Sequence, residues 1–155
     1  MSKVILMIGG CREGKNAFQK TLKEKLNYWV WNVSAQNECQ FIVGLLGWNG
    51  QDKNEIYQNF YTQLFDMANK TFEFKKVYIT RMIDRFLAHD RAQILIIHNA
   101  DEMIEDFKDE DGVMSLYVAK NKGEMEANIN KYDKIFLLDE TFDSNVTDTM
   151  KILTK

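Results

Sequence analysis

Val4 to Phe18, VILMIGGCREGKNAF, constrains this chain more than any other stretch. The apolar run Val4 to Ile8 has the length and composition of a buried strand, and it stops at Gly9. A Gly9-x-x-x-x-Gly14-Lys15 spacing follows and leads into a helical pattern. Strand, glycine loop and helix in that order let consecutive backbone N–H groups converge on one anion, with Gly9, Gly10 and Gly14 expected to supply positive φ angles and missing Cβ atoms. Cys11, Arg12 and Glu13 fill the variable positions of the loop. Lys15, in the first turn of the helix, adds a mobile positive charge where the helix dipole already favours anions, within reach of the β and γ phosphates of a nucleotide. The match to GxxxxGK[ST] fails only at its last position, where Asn16 stands in place of the hydroxyl that ligates Mg²⁺. An amide oxygen is also a hard, neutral ligand, but it lies one atom further from the backbone. The alternative is a glycine turn that joins strand to helix without a ligand.

The rest of the chain limits what such a loop can serve. With 155 residues there is one domain's worth of chain, long enough to bury a core of its own. A formal net charge of −3 argues against a general nucleic-acid binder, which would be basic. No apolar run approaches bilayer-spanning length and the start lacks the signal-peptide pattern, so a cytoplasmic protein without membrane contact is expected. Cys11 and Cys39 form no CxxC pair and have no His partner nearby, which predicts reduced thiols and no zinc site.

In chain order, Phe18, Leu22 and Leu26 predict a helix over Lys15 to Asn27, and Tyr28 to Val33 a short strand whose Trp29 and Trp31 belong to a core or sheet edge. A helix opening at Ser34 or Ala35 is expected to bury Phe41, Ile42, Leu45 and Leu46 and to stop at Gly47-Trp48-Asn49-Gly50. Asn54 to Lys70 carries two apolar stripes, Ile56, Phe60, Leu64 and Met67 beside Tyr57, Tyr61 and Phe65, which predicts a helix covered on more than one side, Met67 in the core included. Phe74 to His89 is the cleanest amphipathic pattern, with Ile79, Met82, Ile83, Phe86 and Leu87 inward. Arg81 and Arg85 lie one turn apart on its polar side, where they either clamp a phosphate or form a solvated face with Asp84 and Asp90.

Gln93 to His98 is a continuous apolar run of the kind buried on both faces of a parallel sheet, expected beside the first strand. His98, Asn99 and then Asp101 stand at its end, and a lone His there is more often structural than catalytic. Asp101 to Glu110 reads as a short helix ended by Asp111-Gly112, Val113 to Ala119 as a fourth strand and Lys134 to Leu138 as a fifth. Lys120 to Lys131 is polar, either a surface connection or a lid carrying Lys120 and Lys122, and Phe142, Val146, Met150 and Leu153 mark a closing helix. Alternating strands and helices predict an α/β domain with a parallel sheet and ligands beyond the carboxyl ends of its strands.

The loop at Gly9 to Lys15, the helical insertion through Gly47-Trp48-Asn49-Gly50, the strand Ile94 to His98 with its short acidic helix, and the closing strand and helix together resemble the bacteriophage-type deoxynucleoside monophosphate kinases. The resemblance covers nearly the whole chain in layout, and the glycine loop is its one specific motif. It implies a three-layer P-loop kinase fold of the adenylate-kinase type, with a five-stranded parallel sheet flanked by helices. Residues 36–91 would be the helical insertion that binds the nucleoside monophosphate, and 120–131 a short lid. The implied reaction is transfer of the ATP γ-phosphoryl group to a (deoxy)nucleoside monophosphate with Mg²⁺. Gly9, Gly10, Cys11, Arg12, Glu13, Gly14, Lys15 and Asn16 would hold the ATP phosphates and Asn16 the metal, while Lys15, Arg12, Arg81 and Arg85 would stabilise the transferring group. Two positions depart from the family pattern: Asn16, and His98, Asn99 and Ala100 where Asp-x-Arg is expected. These favour the rival reading, a non-catalytic nucleotide- or partner-binding protein on the same fold. A third reading keeps only the fold. Oligomeric state stays open, a homodimer included.

Overall fold

The computed structural model describes residues 3–7, 12–49, 53–89 and 93–153. Ile8, Gly9, Gly10, Cys11, Gly50 and Asp90, named above, lie outside the described residues. Two compact units divide the chain, residues 1–32 with 83–155, and residues 33–82, against the 36–91 expected of an insertion.

The first unit is built on five strands, β1 (Lys3–Met7), β2 (Trp29–Val33), β3 (Gln93–His98), β4 (Val113–Ala119) and β5 (Lys134–Leu137), in the order β2-β3-β1-β4-β5. The sheet is all-parallel, and Ile5 stands beside Ile96 of β3 and Met114 of β4. A strand between two parallel neighbours is covered on both faces, which is why β1 and β3 are runs of aliphatic residues and not alternations. Val4, Ile5, Leu6 and Ile94 to Ile97 are all buried.

Helices cover both faces. Ile5, Ile94, Ile96, Leu116, Val118 and Phe136 pack with Phe18 and Leu22 of α1 (Arg12–Glu24) and with Phe142, Val146 and Met150 of α7 (Phe142–Leu153). Thr21 joins these two helices, its Oγ1 donating to Asp143 at 2.7 Å. On the opposite face Phe86, near the end of α4 (Phe74–Leu87), meets Trp31 edge-on, and Tyr117 donates to Glu124 of α6 (Lys122–Ala127). The result is a three-layer α/β fold of the P-loop type. A 3-10 turn at Asp101–Met103 and the short α5 (Ile104–Phe107) connect β3 to β4, and Gly112, at φ +86°, makes the turn into β4. Trp29 and Trp31 are exposed on β2, an outer strand of the sheet, as the sheet-edge reading expects. Within 120–131, α6 is capped by Asn121, whose Oδ1 accepts from the Glu124 backbone at 2.9 Å.

In the second unit, α2 (Ala35–Gly44) is capped by Ser34, and α3 (Glu55–Phe72) by Asn54. The expected inner face of α2 is wrong. Phe41, Ile42, Leu45 and Leu46 are exposed, and the buried stripe is Ala35, Cys39 and Val43, at the same i, i+4, i+8 spacing but with small side chains. α3 likewise is not covered on more than one side: none of its residues is buried, and Ile56 and Met67 are 78% and 63% exposed. Tyr57, Tyr61, Leu64 and Phe65 are its half-buried stripe. Gly47, at φ +104°, ends the first helical segment, and Tyr57 donates to the Leu46 carbonyl beside it at 3.0 Å.

A row of aromatic contacts, Trp48 to Tyr61, Phe65, Phe74 and Tyr78, runs through this unit at centroid spacings of 5.8, 6.2, 6.4 and 5.9 Å. At its end Tyr78 donates to Glu38 at 3.1 Å. Burial, with the Glu38 charge and hydrogen bond adding, pushes the Tyr78 phenol up to about 12. A folded pKa raised above the unfolded one contributes stability that is complete below about pH 10 and disappears as pH rises through about 12. Tyr78→Phe should therefore remove part of the alkaline loss of stability, read as a shallower fall of the denaturation midpoint across that window. Equal slopes in the two proteins would show that the hydrogen bond is not maintained in solution. Cys39 is a free, buried thiol whose pKa is raised by burial and then by Glu38, in keeping with a reduced, unreactive cysteine.

Candidate phosphate-binding site

β1, a central strand of the parallel sheet, ends at Met7, and α1 begins at Arg12, so the first described residues after the carboxyl end of β1 are those of a helix start. Gly9, Gly10 and Cys11 themselves are outside the described residues.

α1 starts three residues before the expected Lys15. Gly14 is consequently the third residue of the helix and buried, and positive φ among the described glycines occurs only at Gly47 and Gly112. The expectation that Gly14 supplies a positive φ is corrected. Arg12 and Glu13 are good helix formers, and Glu13 in the first turn is favoured by the dipole, so the helix extends back through them. Lys15 keeps its place in the first turn and is half-buried; Arg12, Glu13 and Asn16 are exposed. At the start of a helix the dipole favours negative charge; Lys15 adds a positive charge there, and Glu13 sets one negative charge against it.

His98, the last residue of β3, stands beside Met7 in the parallel register. Its Nε2 lies 2.9 Å from Oδ1 of Asn32 on β2, and Asn32 Nδ2 donates to Gln19 Oε1 on α1 at 3.1 Å. An amide oxygen can only accept, so Nε2 carries the hydrogen and Nδ1 holds the lone pair of the neutral ring. Burial and then the charge of Lys15 push the imidazole pKa below its usual value, so His98 is neutral at pH 7. The chain Gln19, Asn32 and His98 thus ties α1, β2 and β3 together next to the loop lysine. Sequence reasoning found Lys15 and His98 but not Asn32 or Gln19. The one signal was a polar residue among the aromatic and β-branched residues of β2.

The carboxylate nearest in sequence to the end of β3 is Asp101, which is exposed. Asn99 takes the left-handed conformation at φ 57°, one that Asn tolerates well. Arg81 and Arg85 are exposed one turn apart on α4; residue 81 belongs to the second compact unit and residue 85 to the first.

Magnesium requires several hard oxygen donors. Among the described residues no three His, Cys, Asp or Glu gather, and the side-chain oxygens flanking Lys15 in the first turns of α1 are the exposed Glu13 carboxylate and the exposed Asn16 amide. These side chains do not by themselves build a Mg²⁺ site. No helix among the described residues is long and apolar enough to cross a membrane. No family model and no curated protein matches this sequence.

Proposed function

We propose that the protein is a P-loop nucleotide kinase that transfers the γ-phosphoryl group of ATP to a (deoxy)nucleoside monophosphate in the cytoplasm. The observation that carries this reading is Lys15 in the first turn of α1, directly after a central strand of a parallel sheet. Phosphoryl transfer asks the protein mainly to position two substrates and to neutralise charge, and the α1 amides with Lys15 supply that for the β and γ phosphates. Arg12, Arg81 and Arg85 are the further cations assigned to the transferring group. Asn16 is the side chain assigned to contact any metal that accompanies ATP.

A second reading, a nucleotide-binding protein without turnover, is favoured by a specific observation: the end of β3 presents a neutral imidazole held by Asn32, not a carboxylate. ADP release across a panel of nucleoside monophosphates, with and without Mg²⁺, decides between the two. Turnover above the Lys15→Ala background supports the kinase; nucleotide binding without any turnover leaves the binding protein.

A further inference from the structure

His98 is not needed as a base in transfer between two phosphates, yet the fold orients it with care. Its ring lies on the α1 side of β3, where α1 presents Lys15 and Gln19 and β2 presents Asn32; β1 places Met7 beside it in register. Of these neighbours only Lys15 is charged. The Asn32 contact occupies Nε2 in either protonation state, so the proton that distinguishes the two states sits on Nδ1. We propose that His98 is a second, titratable ligand of the anion held at Lys15, taking up a proton from solvent as a phosphoryl group arrives and donating from Nδ1 to one of its oxygens. This rests on the phosphate-loop reading above and adds to it the claim that anion binding is coupled to proton uptake.

The physical sequence is simple. Without ligand, burial and the Lys15 ammonium both oppose a charge on the ring. A dianion placed at Lys15 reverses the local field, and the imidazolium becomes a charge-assisted donor. Affinity for a fixed-charge anion should then rise as pH falls through the pKa of free His98. The arrangement also gives Asn32 and Gln19 a role, because they fix which nitrogen points away from β2.

The chain has two histidines, so their ring resonances can be followed by NMR titration and assigned with His98→Gln, which retains a donor toward Asn32. Sulfate is the first probe, because it does not itself titrate between about pH 5 and 8, where histidine does; ATP is the second. Saturating ligand is expected to raise the His98 pKa by about one unit, and sulfate should bind about tenfold more tightly below the titration than above it, since one unit is a factor of ten. His98→Gln should abolish that pH dependence. If ATP binds the wild type more tightly than Lys15→Ala but the His98 titration is unmoved, the inference about His98 is overturned and the phosphate site stands. If neither probe distinguishes the wild type from Lys15→Ala, the phosphate-loop reading fails and this inference fails with it.

Discussion

Ile96→Asp should leave no cooperatively folded protein at room temperature. Ile96 is fully buried in β3, and it packs with Phe18, Leu22 and Ile94 in the core between the sheet and α1. Its neighbour in the ladder is Ile5 of β1, itself buried. Losing an aliphatic side chain of this size forfeits about 2–5 kcal/mol, and a buried carboxylate without a partner adds a desolvation cost of several kcal/mol, against a total stability of about 5–15 kcal/mol. Ile96→Val, which keeps the shape, should cost only about 0.5–1.5 kcal/mol. The measurement is thermal or urea denaturation followed by circular dichroism. An aspartate variant that melts cooperatively within a few degrees of the wild type would mean that β3 is not an interior strand.

The same burial explains why the sheet was legible. Gln93 to His98 and Val113 to Ala119 were read to the residue, the first because a short aliphatic run bounded by polar residues has few other places to go in an α/β chain, the second because a largely apolar stretch follows the Asp111-Gly112 turn signal. Helix faces were less legible. In α2 two stripes satisfy the helical period, and the larger side chains, Phe41, Ile42, Leu45 and Leu46, look like the core; the structure buries Ala35, Cys39 and Val43 instead, since small residues let a helix approach closely. Period identifies a helix but does not choose between two apolar stripes.

At the site, Lys15 was legible through the spacing of Gly9, Gly14 and Lys15, which is local. The helical start at Arg12 was not, because a glycine at position 14 reads equally as loop or as first turn until the backbone is fixed. Asn32 was invisible for a different reason. It is 66 residues from His98 in sequence, and only the placement of β2 beside β3 brings the two together.

Lys15→Ala should weaken ATP binding by about 10- to 100-fold, the value of a lost charge-assisted contact of about 1.5–3 kcal/mol, and should reduce any turnover by about two to three orders of magnitude. The side chain is half-buried in the first turn of α1 and takes no part in the hydrophobic core, so the melting temperature should stay close to that of the wild type. That combination, intact fold with lost affinity, is what separates a ligand-facing lysine from a structural one. Isothermal calorimetry with ATP and a coupled ADP assay read the two quantities. Wild-type affinity in the variant would remove the phosphate-loop reading altogether. Asn16→Thr completes the comparison, since a threonine hydroxyl restores the ligand type that the loop pattern carries at this position. In a working kinase Asn16→Thr should hold or raise the rate of ADP production. In a binding protein it should make nucleotide affinity depend on Mg²⁺ without producing ADP, because His98 and Asn99 would still stand where a carboxylate is needed. ADP at the Lys15→Ala level with every monophosphate tested, together with binding indifferent to Mg²⁺, would rule out the kinase and leave a nucleotide-binding protein on a kinase-like fold.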